Sequence, residues 1–342
     1  MESGLVIGTI SLGTDMNAPS KVILIAGLTA MLSSSCQTEP WQVDNLDFPS
    51  DKLHIVHFAD SVLGLDSITM MAQLNHMAPN HPLLFEAEWE SNFPPYLLSE
   101  TVQSLYQDVI KSRPALADWD ADLHEAFARL THWTGPIRGT TYVYTWVSQA
   151  ENHAILIGDG VVFLPWDQYL GAEHPLYDKE ERYLASRHHP DMAMAQIVAQ
   201  WASAFLPSQA NGTDLINAML HEGRYLMVLH AVLGEDAAYR WLGVGPEQRT
   251  FLENHERDIW STFMQERWLY YSSPDLKRKL IQPAPFSKLG STMDGEIPGQ
   301  VGSWLGWRIL QSHWREHADL SLIAITQSVD DNQLLQQSAY RP

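Results

Sequence analysis

Apolar positions recur with a helical period along most of the chain, and one region breaks that period. Between residues 66 and 135 the pattern reads as helices joined by loops; in SETVQSLYQDVI, Ser99 is placed as an N-cap with Glu100 in the first turn. Residues 140–147, TTYVYTWV, are β-branched and aromatic, and HAILIGDGVVFLPWD (153–167) is two apolar runs around Gly158-Asp159-Gly160. Those runs predict strands, the second pair a hairpin. Past residue 188 the helical period returns. HHPDMAMAQIVAQWASAFL starts at Pro190 and Asp191 and aligns Met194, Ile197, Val198, Trp201 and Phe205. DLINAMLHEGRYLMVLHAVLG (214–234) is apolar nearly all round and stops at Gly234, which places it in the middle of the molecule. GPEQRTFLENHERDIWSTFMQERWL opens with Pro246 near N1 and aligns Phe251, Ile259, Trp260, Phe263 and Trp268. Two further helices are expected over 298–316 and 318–337. The expected class is α+β, predominantly helical, with a small antiparallel sheet.

Composition narrows the setting. The chain of 342 residues, 45% apolar with 13 tryptophans, supplies ample core. A formal net charge of −20 excludes a nucleic-acid surface, which needs clustered Lys and Arg. Cys36 is the only cysteine, so no intrachain disulfide forms. Its surroundings matter more: SKVILIAGLTAMLSSSC has Lys21, an apolar run from Val22 to Leu32, then small residues leading into Cys36. The run is too short to span a bilayer of roughly 30 Å and suits the h-region of a secretory signal. Small residues before a cysteine resemble the lipobox of bacterial lipoproteins, in which that cysteine carries the lipid. Ser33 departs from the pattern, and Glu2 and Asp15 are unusual ahead of such a run, leaving Met16 as an alternative start. Ordinary signal cleavage and an uncleaved anchor are the competing readings. The expected organisation is a lipoprotein signal peptide over 1–35, a tether over 36–50 beginning at the lipidated Cys36, and a single domain over 51–342.

The chemistry turns on residues 221–225, HEGRY. In the zinc-peptidase motif H-E-x-x-H, imidazoles at i and i+4 share one helix face and meet one ion, and the glutamate activates the metal-bound water. Here His221 and Glu222 are kept, and Tyr225 stands where the second histidine belongs. A phenol with an ordinary pKa near 10 binds metal weakly at neutral pH. His230 lies half a helix turn away and cannot complete the site. A second His-Glu pair, His124 and Glu125, has Ala128 at i+4. His54 and His57 fall on opposite strand faces, and His188 and His189 precede a helix; these read as structural or surface histidines. The alternatives are a metal site with an unusual ligand, a retired one, and a buried helix carrying His-Glu by chance.

Several segments together resemble one family, the gliding-motility lipoprotein B (GldB) family: YLGAEHPLY (169–177), FLENHERDIWSTFMQERWLYYSSPDLKRKLIQPAPFSK (251–288), DGEIPGQVGSWLGWRIL (294–310) and the ending SAYRP. The resemblance runs in order from about residue 51 to the C-terminus. It implies a role in the envelope machinery of surface gliding and its secretion apparatus, with envelope proteins as partners and attachment to a membrane through the lipid on Cys36. It also implies a distant likeness to predicted zinc-dependent proteases, with the 214–233 helix as a zincin-like helix that has lost ligands and the 140–166 strands as the sheet beside it. On that reading Gly299, Gly302 and Gly306 allow close helix approach at the old cleft, lined by Lys288, Asp294 and Arg308; plain turn and surface roles explain the same residues. The leading expectation is a non-catalytic, periplasm-facing lipoprotein without a cofactor. One alternative is a metallopeptidase in which His221, Tyr225 and a third acidic or histidine ligand that the sequence does not identify hold zinc and Glu222 is the base; another is a substrate-binding lipoprotein.

Overall fold

The helix expected to be buried lies at the centre of the molecule. The computed structural model describes residues 38–43, 46, 50–85, 87–135, 139–149, 155–157 and 160–342. Cys36 and the expected signal peptide lie outside them. The body runs over Glu39–Pro342, starting before the residue 51 expected from sequence. In chain order it contains β1 (Leu53–His57), α1 (Phe58–Val62), α2 (Ser67–Met77), α3 (Trp89–Leu97), α4 (Glu100–Ser112), α5 (Leu116–Thr134), β2 (Thr141–Trp146), β3 (Ile155–Ile157) and β4 (Val161–Pro165). Helices follow: α6 (Arg182–Ala185), α7 (Met192–Phe205), α8 (Leu215–Leu233), α9 (Glu235–Trp241), α10 (Pro246–Gln265), α11 (Pro274–Leu280), α12 (Val301–Glu316), α13 (Leu322–Thr326) and α14 (Asp331–Gln337). None of the described helices is long and apolar enough to cross a membrane.

The sheet corrects the expectation. Its strand order is β1-β2-β4-β3, and only the β3/β4 hairpin is antiparallel, as its pattern predicts. β2 pairs in parallel with β1, Leu53 opposite Thr141, and with β4, Tyr142 opposite Val161. Strand direction follows from the connections: α1 to α5 form a helical crossover that returns the chain to the end where β1 began. Apolar spacing within a strand carries no information on its direction.

Local signals predict several helix ends correctly. Ser99 caps α4 by accepting from the Val102 N–H, Pro246 is the first residue of α10, and Gly234 ends α8 at φ +92°. α8 packs chiefly on α12, with α9, α7 and α5 around it. The α8/α12 crossing is backbone on backbone: a Cβ on Gly306 would lie 1.9 Å from the Met219 carbonyl oxygen, and one on Gly223 2.5 Å from the Gly306 carbonyl carbon. The sheet's chief helical contacts are with α1, α5 and α7, so helices bridge it to α8. The strands expected beside the motif helix are therefore not its main neighbours.

Two further departures have physical causes. The single helix expected over 318–337 is split into α13 and α14, because the Ser328 carbonyl between them accepts from Arg224 and Asn211 instead of continuing a helix. In the segment expected as a tether, Trp41 is buried beside His230 and Trp314, with ring centroids 5.0 and 6.0 Å away. Arg315 lies over the Trp41 ring at 4.8 Å and pairs in a fork with Glu39 at 2.9–3.1 Å, strapping this segment to the body.

Candidate functional site

Arg224 explains how α8 is built. An arginine in an all-apolar helix must find an anion, since its guanidinium keeps its charge in any environment. Its side chain is 1% exposed and its Nη2 lies 2.6 Å from Asp331 Oδ1; the Asp331 side chain is 0% exposed. Asn217, two turns earlier on the same face, donates to Asp331 Oδ2 at 2.9 Å and accepts from the Asp214 N–H that starts the helix. Asn211 adds a bond to Asp331 Oδ1 at 3.1 Å. Both Asp331 oxygens are thus committed, while Nε and Nη1 of Arg224 lack partners.

His221 shares that face, and its Nδ1 is buried without a partner. Burial, and next the charge of Arg224, hold its proton affinity below the ordinary histidine value, with Asp331 opposing. Tyr225 stands against it, ring centroids 5.8 Å apart and edge-on. Burial, then the charge of Glu222, push the phenol above its ordinary value. Glu222 is turned toward a different side of the helix. Burial raises its carboxyl pKa, and Arg187 acts in the opposite direction. Among the described residues no three His, Cys, Asp or Glu side chains are grouped to hold an ion. The residues present fit zinc poorly: one imidazole, one phenol biased toward its protonated form, and a carboxylate already saturated.

The other residues singled out from sequence stand apart from this helix face. Asp294 closes its own loop, accepting from the N–H groups of Leu289, Gly290 and Ser291 at 2.9–3.1 Å. Arg308 forks onto Glu256 at 2.9 and 3.1 Å, and Tyr340 donates to the same carboxylate at 2.7 Å. Lys288 is exposed. Gly302 and Gly299 serve close packing on Leu280 and on the Ala284 carbonyl. His57 sits between Asp120 at 2.9 Å and Thr145 at 3.3 Å, and His188 between Gln168 O at 2.7 Å and Glu180 at 2.9 Å, which are structural roles. Glu125 pairs with Arg129. Cys36 lies outside the described residues.

Two residues of the site carried no weight in sequence. The signal for Arg224 was present, a cation inside an apolar helix, but nothing local names its partner 107 residues away. Arg187, whose charge acts on Glu222, had no signal at all.

The family model of the gliding motility protein GldB matches residues 39–342, beginning where the folded body begins. The chain belongs to the GldB family. No curated protein and no solved structure matches it. GldB membership associates the chain with gliding motility and with envelope lipoproteins. The likeness to zincins finds no such support: no solved structure matches, and the sheet does not lie against α8 as its main partner.

Proposed function

We propose that this GldB family chain is a lipid-anchored component or assembly factor of the gliding and secretion machinery that acts by binding, with no hydrolytic step. The observation that carries the reading is Tyr225. It occupies the position of the second zinc ligand, and burial together with Glu222 opposes the phenolate that metal binding requires. Burial raises the pKa of Glu222, the expected base, and the charge of Arg187 opposes that without forming an ion pair. The strap supports the anchoring. Three residues from Cys36 reach at most about 10 Å when fully extended, so a lipid on Cys36 holds the first packed residue, Glu39, close to the bilayer surface.

One observation favours the peptidase reading, the partnerless Nδ1 of His221, and it is the one to test. Protein purified without chelator, alongside His221→Ala, should contain no stoichiometric metal. About one zinc per chain that disappears in the variant would overturn the non-catalytic reading. Cys36→Ser should move the protein out of the membrane fraction and stop surface spreading; retention of both would overturn the anchoring.

A further inference from the structure

A cavity of about 410 Å³ opens beside α7, on the Arg187 side of the molecule. Gln196 and Gln200, one helical turn apart on α7, present two amides along it, and Tyr169 and Trp241 give it aromatic wall. Arg187 lines the same space. Among the described residues the Arg187 guanidinium donates no hydrogen bond and has no carboxylate within ion-pair distance, although the residue is only partly exposed. Burial works against its charged form, which the charge of Glu222 favours first and Tyr183 next. Its neighbour His188 cannot swing to help. That ring is stacked on Tyr177 at 3.7 Å and bound at both nitrogens, which fixes the backbone carrying Arg187.

A partly desolvated guanidinium with free donors is a ready fork for a planar anion. Phosphate and carboxylate both fit such a fork, but the neighbouring Glu222 limits the negative charge that this single cation can accept. A monoanion suits the balance and a dianion does not. The two amides match further donors and acceptors of an amide-bearing ligand, and the aromatic wall matches an apolar substituent.

We propose that this cavity binds a small organic carboxylate carrying an amide and an apolar side group, with Arg187 gripping the carboxylate. Glu222 is the internal competitor for Arg187. The glutamate of the motif, though not in the cavity lining, thus weakens the grip of Arg187 on a bound anion. The site goes beyond the envelope role proposed above and depends on neither the lipid nor the absence of zinc.

Titration calorimetry of the purified protein with N-acetyl-L-leucine, its C-terminal amide, and inorganic phosphate tests the assignment. The carboxylate should bind at least tenfold more tightly than the amide or phosphate. Arg187→Gln should weaken that binding tenfold or more. Glu222→Gln should strengthen it several-fold, and it serves as the informative variant should Arg187→Gln fold poorly. No heat with N-acetyl-L-leucine at about 10 mM overturns the proposal. So does equal binding of acid and amide, tighter binding of phosphate, or an affinity indifferent to Glu222→Gln.

Discussion

Replacing Gly306 by alanine tests whether the α8/α12 crossing is set by backbone contact. The added methyl would sit 1.9 Å from the Met219 carbonyl oxygen, 2.4 Å from its carbon and 3.1 Å from the Leu220 nitrogen. Carbon and oxygen approach to about 3.3 Å at closest, so the helices must part by roughly 1.4 Å at this point. No side chain can rotate away, because the obstacle is main chain. Around the crossing Met219, Leu220, Leu305 and Trp307 are all fully buried. A gap of 0.5–1 Å already forfeits a quarter to a half of each contact's attraction, and overpacking costs about 1–3 kcal/mol or more. Since the gap here is wider, the gross loss is about 4–5 kcal/mol. Alanine recovers about 1 kcal/mol through helix propensity. The net loss is then about 3–4 kcal/mol, a large share of the 5–15 kcal/mol that holds a domain together. Urea unfolding followed by circular dichroism measures it. Gly295→Ala is the control: nothing lies within 4 Å of its Cβ, and a change within about 0.5 kcal/mol is expected. A loss below about 1 kcal/mol for Gly306→Ala would refute the claim that glycine contact sets the helix separation.

Three further outcomes follow from the same coordinates. Asp331→Ala leaves the Arg224 guanidinium buried and unpaired and should cost about 3–5 kcal/mol by denaturant unfolding, whereas replacing both by apolar residues should restore much of it; equal losses for both variants would contradict the pairing. Trp41→Ala should free the strap, exposing the chain near residue 41 to proteolysis while lowering global stability by only about 2 kcal/mol, since a segment at the edge of the folded body unfolds locally; unchanged proteolysis would count against the strap. Burial, with Arg315 adding, pushes the His230 pKa down to about 3, and burial with His317 adding pushes that of His313 to about 4. Unfolded, both take a proton near pH 6.5, so the unfolded state binds more protons below that value and stability is lost as pH falls through this window, by up to about 1.4 kcal/mol per pH unit for each. Urea midpoints between about pH 7 and pH 5 should show this slope, and His230→Gln should flatten it in part, since His221 and His81 are depressed as well; an unaltered slope in that variant would exclude His230 as a source.

Features that depend on a residue and its near neighbours were legible from the chain. The burial of α8 follows from its apolar surface and its end from Gly234, whereas the close approach at Gly306 was one of two readings the sequence left open. The order of the family segments carried the GldB assignment, and the match over 39–342 bears it out. Tyr225 in place of a second histidine was legible too, but its bias against ionisation was not, because that comes from burial and from Glu222.

The rest belongs to the tertiary structure. Strand direction was misread because a β-branched run looks the same whichever way it points; the helical crossover between β1 and β2 decides it. The helix expected over 318–337 breaks because Arg224 recruits Ser328 and Asp331 from across the molecule. Trp41 left the expected tether because His230, Trp314 and Arg315 form its seat. Arg187 takes on a role only through the fold, which sets it in the wall of a cavity and under the charge of Glu222. Periodicity and capping record what a residue needs from its own segment. The partner that satisfies a buried charge or a loose aromatic ring lies many residues away, and only the folded chain selects it.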